Sequence, residues 1–218
     1  MAQTLDDLLE ALEDVDDATR EEASKALAEL ADPTTLDALV GACGDEYWAV
    51  RAHAGLGLSK IGGAKARESL IVLFNDSIMD VRNDAVAAMA AMGAGVVDRL
   101  IAALKDERWR VREHAAKTCG EIQDQNAVEP LMLVCRDRDG AVKSAAAEAL
   151  GKIGDPRAIP VLSKLFRDPS KTVRETAGTA LISIGQPSVD PLIECLKDKD
   201  FVVRCHAARA LGGMTTDY

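Results

Sequence analysis

Residues 105–122, KDERWRVREHAAKTCGEI, bring an aspartate, a tryptophan, a histidine and three alternating arginines into one short stretch. Asp106 and His114 could move protons at the edge of a catalytic pocket. Arg108, Arg110 and Arg112 could clamp nucleic-acid phosphates. The stretch could also be structural. The choice depends on whether it occurs once in the chain.

The stretch is one of seven internal repeats, because its Val-Arg pair recurs every 30 or 31 residues, as Thr-Arg in the first repeat and Val-Lys in the fifth. Counted from each repeat centre, alanine always stands four residues later, and apolar residues stand eight and eleven residues later. These offsets fall within about 80° on a helical wheel, which predicts a helix with one apolar stripe. The repeat centres are Thr19, Val50, Val81, Val111, Val142, Val173 and Val203.

A second apolar stretch of similar period precedes six of the centres, so each repeat is predicted to be a helical hairpin. Glycines follow several second helices, as at helix ends. A hairpin of this kind cannot bury its stripe alone and must stack on its neighbours. The predicted fold is therefore all-α, an α-solenoid of about seven stacked hairpins that form a single domain over residues 1–218.

The pattern D-x4-V-R-x2-A-x3-L-x2-I-G, seen in DRDGAVKSAAAEALGKIG (residues 137–154), resembles the short HEAT-like repeat. This class is often named after the phycobilisome bilin lyases, and the resemblance covers essentially the whole chain. It implies a solenoid that in most members serves as a scaffold and in a few is an enzyme.

Composition and net charge restrict the classes of partner and the cellular compartment that the sequence favours. The net charge is −10, with fourteen acidic and two basic residues in the first 46, so nucleic acid is an unfavoured partner. No apolar run approaches the roughly 18–20 residues that cross a bilayer, and the acidic N-terminus lacks a secretory signal pattern. The five cysteines show no CxxC pairing. These features predict a cytoplasmic protein with reduced thiols, no membrane contact and no cofactor.

Recurring polar residues are interpreted as structural. An aspartate stands five residues before every centre and a basic residue follows all seven. Such an aspartate can accept N–H groups at the start of the next helix, and the arginine can bridge to the aspartate of an adjacent repeat. Asp106 and Arg112 are therefore predicted to hold the stack together, and only residues that do not recur remain as candidates for a specific function.

Large apolar residues stand two positions before the centre in repeats two to four: Trp48, Met79 and Trp109. They could pack as lids over the start of the second helix. They could also form a row of contacts for a partner along the edge of the solenoid.

His53, Asp84 and His114 stand three positions after the centre in the same repeats, where a metal or general-base site is conceivable. Two histidines that lie two repeats apart, with no second carboxylate ligand, argue against such a site. We therefore predict no catalytic and no metal-binding residue.

The outward arc of the second helix is polar in most repeats but apolar in repeats two and three. A leucine such as Leu56 that faces water has no packing role, and an apolar patch rimmed by polar groups is typical of an interface. The predicted partner-binding residues are Trp48, Ala52, His53, Leu56, Met79, Asp84, Ala87, Ala91, Trp109 and His114.

The predicted function is a non-enzymatic scaffold or adaptor that binds another protein on its concave face and ridge at repeats two to four and that could serve as a subunit of a larger complex. The alternative is a bilin-lyase-like enzyme or a cofactor-handling subunit, since such proteins show no compact motif. The related deoxyhypusine hydroxylases carry His-Glu dyads at two and three residues after the centre. This chain has Ala52-His53, Glu113-His114 and Cys205-His206 there, which disfavours that activity.

Overall fold

The computed structural model describes residues 4–214, and this part of the chain holds fourteen α-helices and no strand. The predicted all-α class is confirmed. The helices are α1 (Leu5–Ala11), α2 (Asp17–Leu30), α3 (Leu36–Ala42), α4 (Trp48–Ile61), α5 (Gly63–Leu73), α6 (Met79–Ala91), α7 (Val97–Ala103), α8 (Trp109–Ile122), α9 (Val128–Val134), α10 (Gly140–Ile153), α11 (Ile159–Lys164), α12 (Lys171–Ile184), α13 (Val189–Cys195) and α14 (Phe201–Met214).

Odd-numbered helices are short and even-numbered helices are long, which is the predicted hairpin alternation. Each repeat centre is the third residue of a long helix. The structure adds α1 as the first helix of repeat one, where the sequence had indicated such a stretch for six repeats only. The acidic residues of LDDLLEA make the apolar spacing of this helix hard to detect in the sequence, but Leu8 is buried. The α-solenoid prediction is therefore confirmed, with seven hairpins in the described residues.

The chain forms two compact units, of which unit 1 ends at Arg99 and unit 2 begins at Leu100. In unit 1 the second helices pack in chain order, α2 on α4 and α4 on α6. In unit 2 the order is α8, α10, α12 and α14. The single domain over residues 1–218 stays a prediction.

Recurring apolar residues build the core of each unit. The alanine four residues after each centre is at most 2% exposed in all seven repeats. Eleven residues before each centre a leucine of the first helix is also buried, a recurrence that the sequence reasoning missed: Leu8, Leu39, Leu70, Leu100, Leu131, Leu162 and Leu192. The position eleven residues after the centre is less buried than predicted, and Leu30 is 58% exposed because α2 ends there.

Within residues 4–214 no single helix is long and apolar enough to cross a membrane, and one bent pair, Met79–Ala91 with Gly93–Ala103, meets the criterion of length and composition together.

The recurring aspartate fixes the turn before each second helix. Its carboxylate accepts the backbone N–H of the residue two positions later in all seven repeats, as Asp106 does from Arg108 at 2.9 Å. Each such bond satisfies a donor at the entrance to the helix. The structural interpretation of these aspartates is confirmed.

The recurring basic residue links neighbouring hairpins inside each unit. The Arg112 guanidinium donates to the carbonyl of Asp106 at 2.7 Å and to both carboxylate oxygens of Asp137 in the next repeat. Burial alone would raise the pKa of Asp137, but the hydrogen bonds from Arg112 and from the Asp139 N–H outweigh it, and the pKa is lowered. The bridging pairs are Arg20–Asp45, Arg51–Asp76, Arg112–Asp137 and Lys143–Asp168.

The last junction of unit 2 departs from this pattern. Arg174 donates through Nε to Nε2 of His206 at 3.3 Å, and Arg167 holds the Asp198 carboxylate. The His206 ring stacks on Phe166 with ring centres 5.7 Å apart. Burial, and then the nearby charge of Arg174, lower the pKa of His206, so the folded protein favours the neutral imidazole.

This contact should make the stability of unit 2 depend on pH. A histidine whose pKa is lowered by folding contributes stability above its unfolded pKa, and that contribution is lost as the pH falls through the folded pKa. We expect the urea midpoint to fall more in the parent protein than in His206→Gln between about pH 7.5 and about pH 5.5. An equal fall in both proteins would contradict a lowered pKa, which an NMR titration of the His206 ring measures directly.

Candidate partner-binding groove

Unit 1 contains a groove of about 450 Å³ between α4 and α6, with α2 at one edge. Seven of the ten sequence-predicted residues line it: Trp48, Ala52, His53, Leu56, Asp84, Ala87 and Ala91. They converge because offsets of two, three, six and ten residues from a centre lie on one face of a helix. The groove therefore coincides with the apolar arc of repeats two and three.

Two large side chains supply exposed apolar surface to the groove. Leu56 is 46% exposed and Trp48 is 41% exposed. Trp48 is the first residue of α4, and its ring lies 6.2 Å from that of Tyr47, which caps the same helix. Trp48 thus contributes exposed aromatic surface at the end of the groove where α4 begins. Ala52 is nearly buried and forms part of the floor.

The polar side of the groove holds His53 and Asp84. The Nδ1 atom of His53 lies 3.4 Å from the Ser24 hydroxyl of α2, which in turn donates to the carbonyl of Glu21 at 2.8 Å. Partial burial and the neighbouring Asp80 raise the pKa of Asp84, and His53 offsets part of that rise. Between them, the two side chains place one carboxylate and one imidazole beside an apolar floor.

Three of the ten predicted partner-binding residues do not line the groove. Met79 is 61% exposed at the start of α6 but does not line the groove. Trp109 lies in unit 2, where the Arg110 guanidinium sits 4.9 Å from its ring centre. His114, also in unit 2, is 3% exposed, and its Nδ1 lies 2.7 Å from the Arg110 carbonyl. His114 was predicted to contact a partner, but it is buried because its side chain turns back toward its own helix.

The groove also includes residues that the sequence reasoning did not select: Glu21, Ala49, Ser59 and Ala88. Ala49 and Ala88 are nearly buried, so they belong to the floor rather than to the outward arc. The signal that could have identified them is the run of small residues on both facing helices.

A comparable groove in unit 2, about 460 Å³ in volume, lies between α10 and α12. Its walls are polar, with Thr172, Thr176, Thr179 and Ser183 on one helix and Lys152 on the other. Thr179 stands six residues after its centre, as Leu56 does in repeat two. The apolar lining is thus a property of the unit 1 groove and not of the repeat.

Unit 2 has a further apolar groove of about 450 Å³ that the sequence reasoning missed. It lies on the side of the short helices, where Ile101, Leu104 and Leu133 contribute, and Leu133 is 68% exposed.

The described residues hold no cluster of metal ligands, and three of the five cysteine thiols are shielded from water. Within residues 4–214, no three side chains of His, Cys, Asp or Glu are close enough together to hold a metal ion. Burial raises the pKa of the Cys43, Cys119 and Cys135 thiols to about 12, so these cysteines are protonated and weakly nucleophilic at neutral pH.

Comparisons with known proteins agree with this architecture. The CpcE–CpcF complex of phycocyanin lyase from Nostoc sp. PCC7120 is similar with a TM-score of 0.56 at 23% identity, covering 67% of this chain and 98% of that chain. Kap95p, in its RanGDP complex, is similar with a TM-score of 0.67 at 16% identity, covering 96% of this chain and 35% of that chain. These likenesses concern the fold alone.

No curated protein matches the sequence. The sequence profile of HEAT repeats matches residues 5–90, 97–182 and 162–217, which together span nearly the whole chain. The chain belongs to the HEAT-repeat family.

Proposed function

We propose that the protein is a non-enzymatic scaffold or adaptor that binds a partner protein in the groove between α4 and α6. The observation that carries this proposal is the exposed apolar lining. Leu56 is 46% exposed over a floor of alanines, whereas the corresponding groove of unit 2 is lined by hydroxyl and charged groups. Exposed leucine and tryptophan cost free energy in water, and a partner that covers them recovers it.

The groove has the features of an interface hot spot. Trp48 and Leu56 are large anchors, and the small residues Ala87 and Ala91 leave room for side chains of a partner between them. Glu21, His53 and Asp84 form a polar edge that can fix the orientation of the partner. The proposal narrows the site to repeats two and three, since His114 is buried and Trp109 lies in unit 2.

The lyase-like alternative draws on the likeness to CpcE–CpcF, a complex of phycocyanin lyase. At 23% identity this likeness supports a common fold, and the buried thiols described above are poor candidates for handling a pigment covalently. Absorbance of the purified protein after incubation with a bilin tests the alternative: a new, stable visible band would support it over a scaffold function.

Leu56→Asp tests the scaffold proposal. We expect the charge to weaken capture of native partners by about thirtyfold or more, because it places an unpaired carboxylate in the centre of the contact. Helicity and melting temperature should stay close to those of the parent protein, since Leu56 is half exposed. The measurement is quantitative mass spectrometry of proteins retained by the immobilised chain.

Thr179→Asp is the matched control, because it introduces the same side chain at the same repeat position in the polar groove of unit 2. It should leave the captured set unchanged. Equal capture by the parent protein, Leu56→Asp and Thr179→Asp would refute binding at the unit 1 groove.

A further inference from the structure

Glu21 and Asp84 line the unit 1 groove, and Asp80 stands one turn before Asp84 on α6; within the described part of the chain none of the three carboxylates has an ion-pair partner. Asp80 and Asp84 stand four residues apart on α6, where like charges repel. This repulsion does not stabilise the folded protein. The same helix has one basic residue, Arg82, whose guanidinium donates to the carbonyls of Asp76 and Ser77.

The other cations of the neighbouring second helix are also engaged. Arg51 is held by Asp76, and Lys60 donates to the carbonyl of Ala28 at 2.8 Å. Lys25 stands one turn after Glu21 on α2, a spacing at which opposite charges attract, but it is on a different helix from Asp80 and Asp84. Asp80 and Asp84 on α6 are therefore left facing solvent without a compensating charge.

In unit 2 the carboxylates on the corresponding face of the second helices each form an ion pair with a nearby cation. Glu113 pairs with Lys117 at 2.7 Å, and Glu148 pairs with Lys152 at 2.7 Å. Glu175 lies 3.5 Å from Arg209. These cations stand six or ten residues after a repeat centre.

In repeats two and three the positions six residues after the centre hold Leu56 and Ala87, and Ala91 stands ten residues after its centre. Of the positions six and ten residues after the centre in repeats two and three, three thus hold apolar residues and the fourth holds Lys60, while Asp80 and Asp84 have no ion pair. A bound partner could supply the missing charges over an apolar floor.

We infer that the partner inserts a basic amphipathic helix into the groove, with its apolar side chains on Leu56, Ala87 and Ala91 and its lysines or arginines against Glu21, Asp80 and Asp84. This inference rests on the proposed function and names the chemistry of the partner. The lining residues of α4 run from Trp48 to Ser59, about 16 Å along the helix axis, which accommodates about three turns of a partner helix.

The net charge of unit 1 and the pKa of Asp84 are both consistent with a basic helix in the groove. Residues 1–99 hold nineteen acidic and eight basic side chains, a potential that steers a cationic segment toward the unit. The pKa of Asp84 is raised by burial and by Asp80, and the opposing effect of His53 is smaller. Lysine and arginine also suit the alanine floor, because their aliphatic stems pack on apolar surface while the charged ends reach the rim.

The test uses a displayed library of three-turn helices that share one leucine and alanine face, with the remaining positions randomised among Lys, Arg, Glu, Asp and Gln. Selection on the full chain should enrich lysine and arginine at the positions beside the apolar face. A selected peptide, synthesised with a fluorophore, should bind Asp80→Lys/Asp84→Lys about tenfold more weakly than the parent protein.

The matched control is Glu10→Lys/Glu13→Lys, which makes the same change in net charge at exposed positions of repeat one, outside the groove. It should change the dissociation constant by less than about twofold. Equal weakening by both double variants would show nonspecific attraction and overturn the inference.

The remaining outcomes separate the two proposals. Selected helices that lack basic enrichment but lose binding in Leu56→Asp would overturn the basic partner and leave the binding groove in place. Selected helices that bind Leu56→Asp as well as the parent protein would overturn both.

Discussion

Replacing Arg112 with alanine is expected to lower the free energy of unfolding of unit 2 by about 3 kcal/mol. The Arg112 side chain is buried, and it donates to the carbonyls of Asp106 and Glu107 and to both carboxylate oxygens of Asp137. Its removal would leave Asp137 largely shielded from water without its cation. Urea unfolding followed by helical circular dichroism measures the change as a shift in midpoint at constant slope.

Arg204 is the matched control, because it follows the last repeat centre and donates to the carbonyls of its own turn, Asp198 and Lys199. Arg204→Ala should cost about 1 kcal/mol, the value of the local hydrogen bonds alone. Asp137→Ala combined with Arg112→Ala should cost less than the sum of the single variants, since the stranded charge is then absent. Equal losses for Arg112→Ala and Arg204→Ala would show that the bridge between hairpins adds nothing.

These bridges were predictable from the sequence because they depend on local periodicity. An aspartate five residues before the centre always reaches the start of the next helix, since the turn has the same length in every repeat. The helices, their pairing and their buried stripe follow for the same reason. The recurring aspartate meets the same local turn each time, whereas the bridge from the recurring basic residue also needs the matching partner in the next hairpin and is absent for Arg174.

Features that depend on the distance between two helices were not predictable in this way. The apolar arc indicated Leu56 and Ala87, but the floor residues Ala49 and Ala88 became visible only when α4 and α6 were placed side by side. His114 shares its repeat position with His53, yet the first is buried and the second is half-buried. Register specifies the direction of a side chain, and the neighbouring helix decides how far it is covered.

A close approach between second helices in unit 2 was also missed. Gly120 and Gly151 stand nine residues after their centres and face Ala149 and Ala180, which stand seven residues after the next ones. A Cβ atom at Gly151 would lie 2.7 Å from Cα and 2.9 Å from Cβ of Ala180. The alanines four residues after the centre are also buried, but they recur in every repeat and so do not distinguish this junction.

Gly151→Ala is therefore expected to destabilise unit 2 by about 2 kcal/mol, although alanine is the better helix former by about 1 kcal/mol. The added methyl group must displace the backbone of α12, because the contacting atoms belong to the main chain and Cβ of Ala180 and cannot rotate away. The measurement is again the midpoint of urea unfolding.

Gly212 offers a control at the same repeat position in α14, where an added Cβ would meet no heavy atom of the described residues within 4 Å. Gly212→Ala should therefore raise the free energy of unfolding by about 0.5–1 kcal/mol, the helix propensity of alanine without a steric cost. The two variants make the same chemical change at the same repeat position, and opposite signs are expected because the facing helix differs. If both variants raise stability, the helices of unit 2 can separate at little cost, and the small residues at this position do not set their spacing.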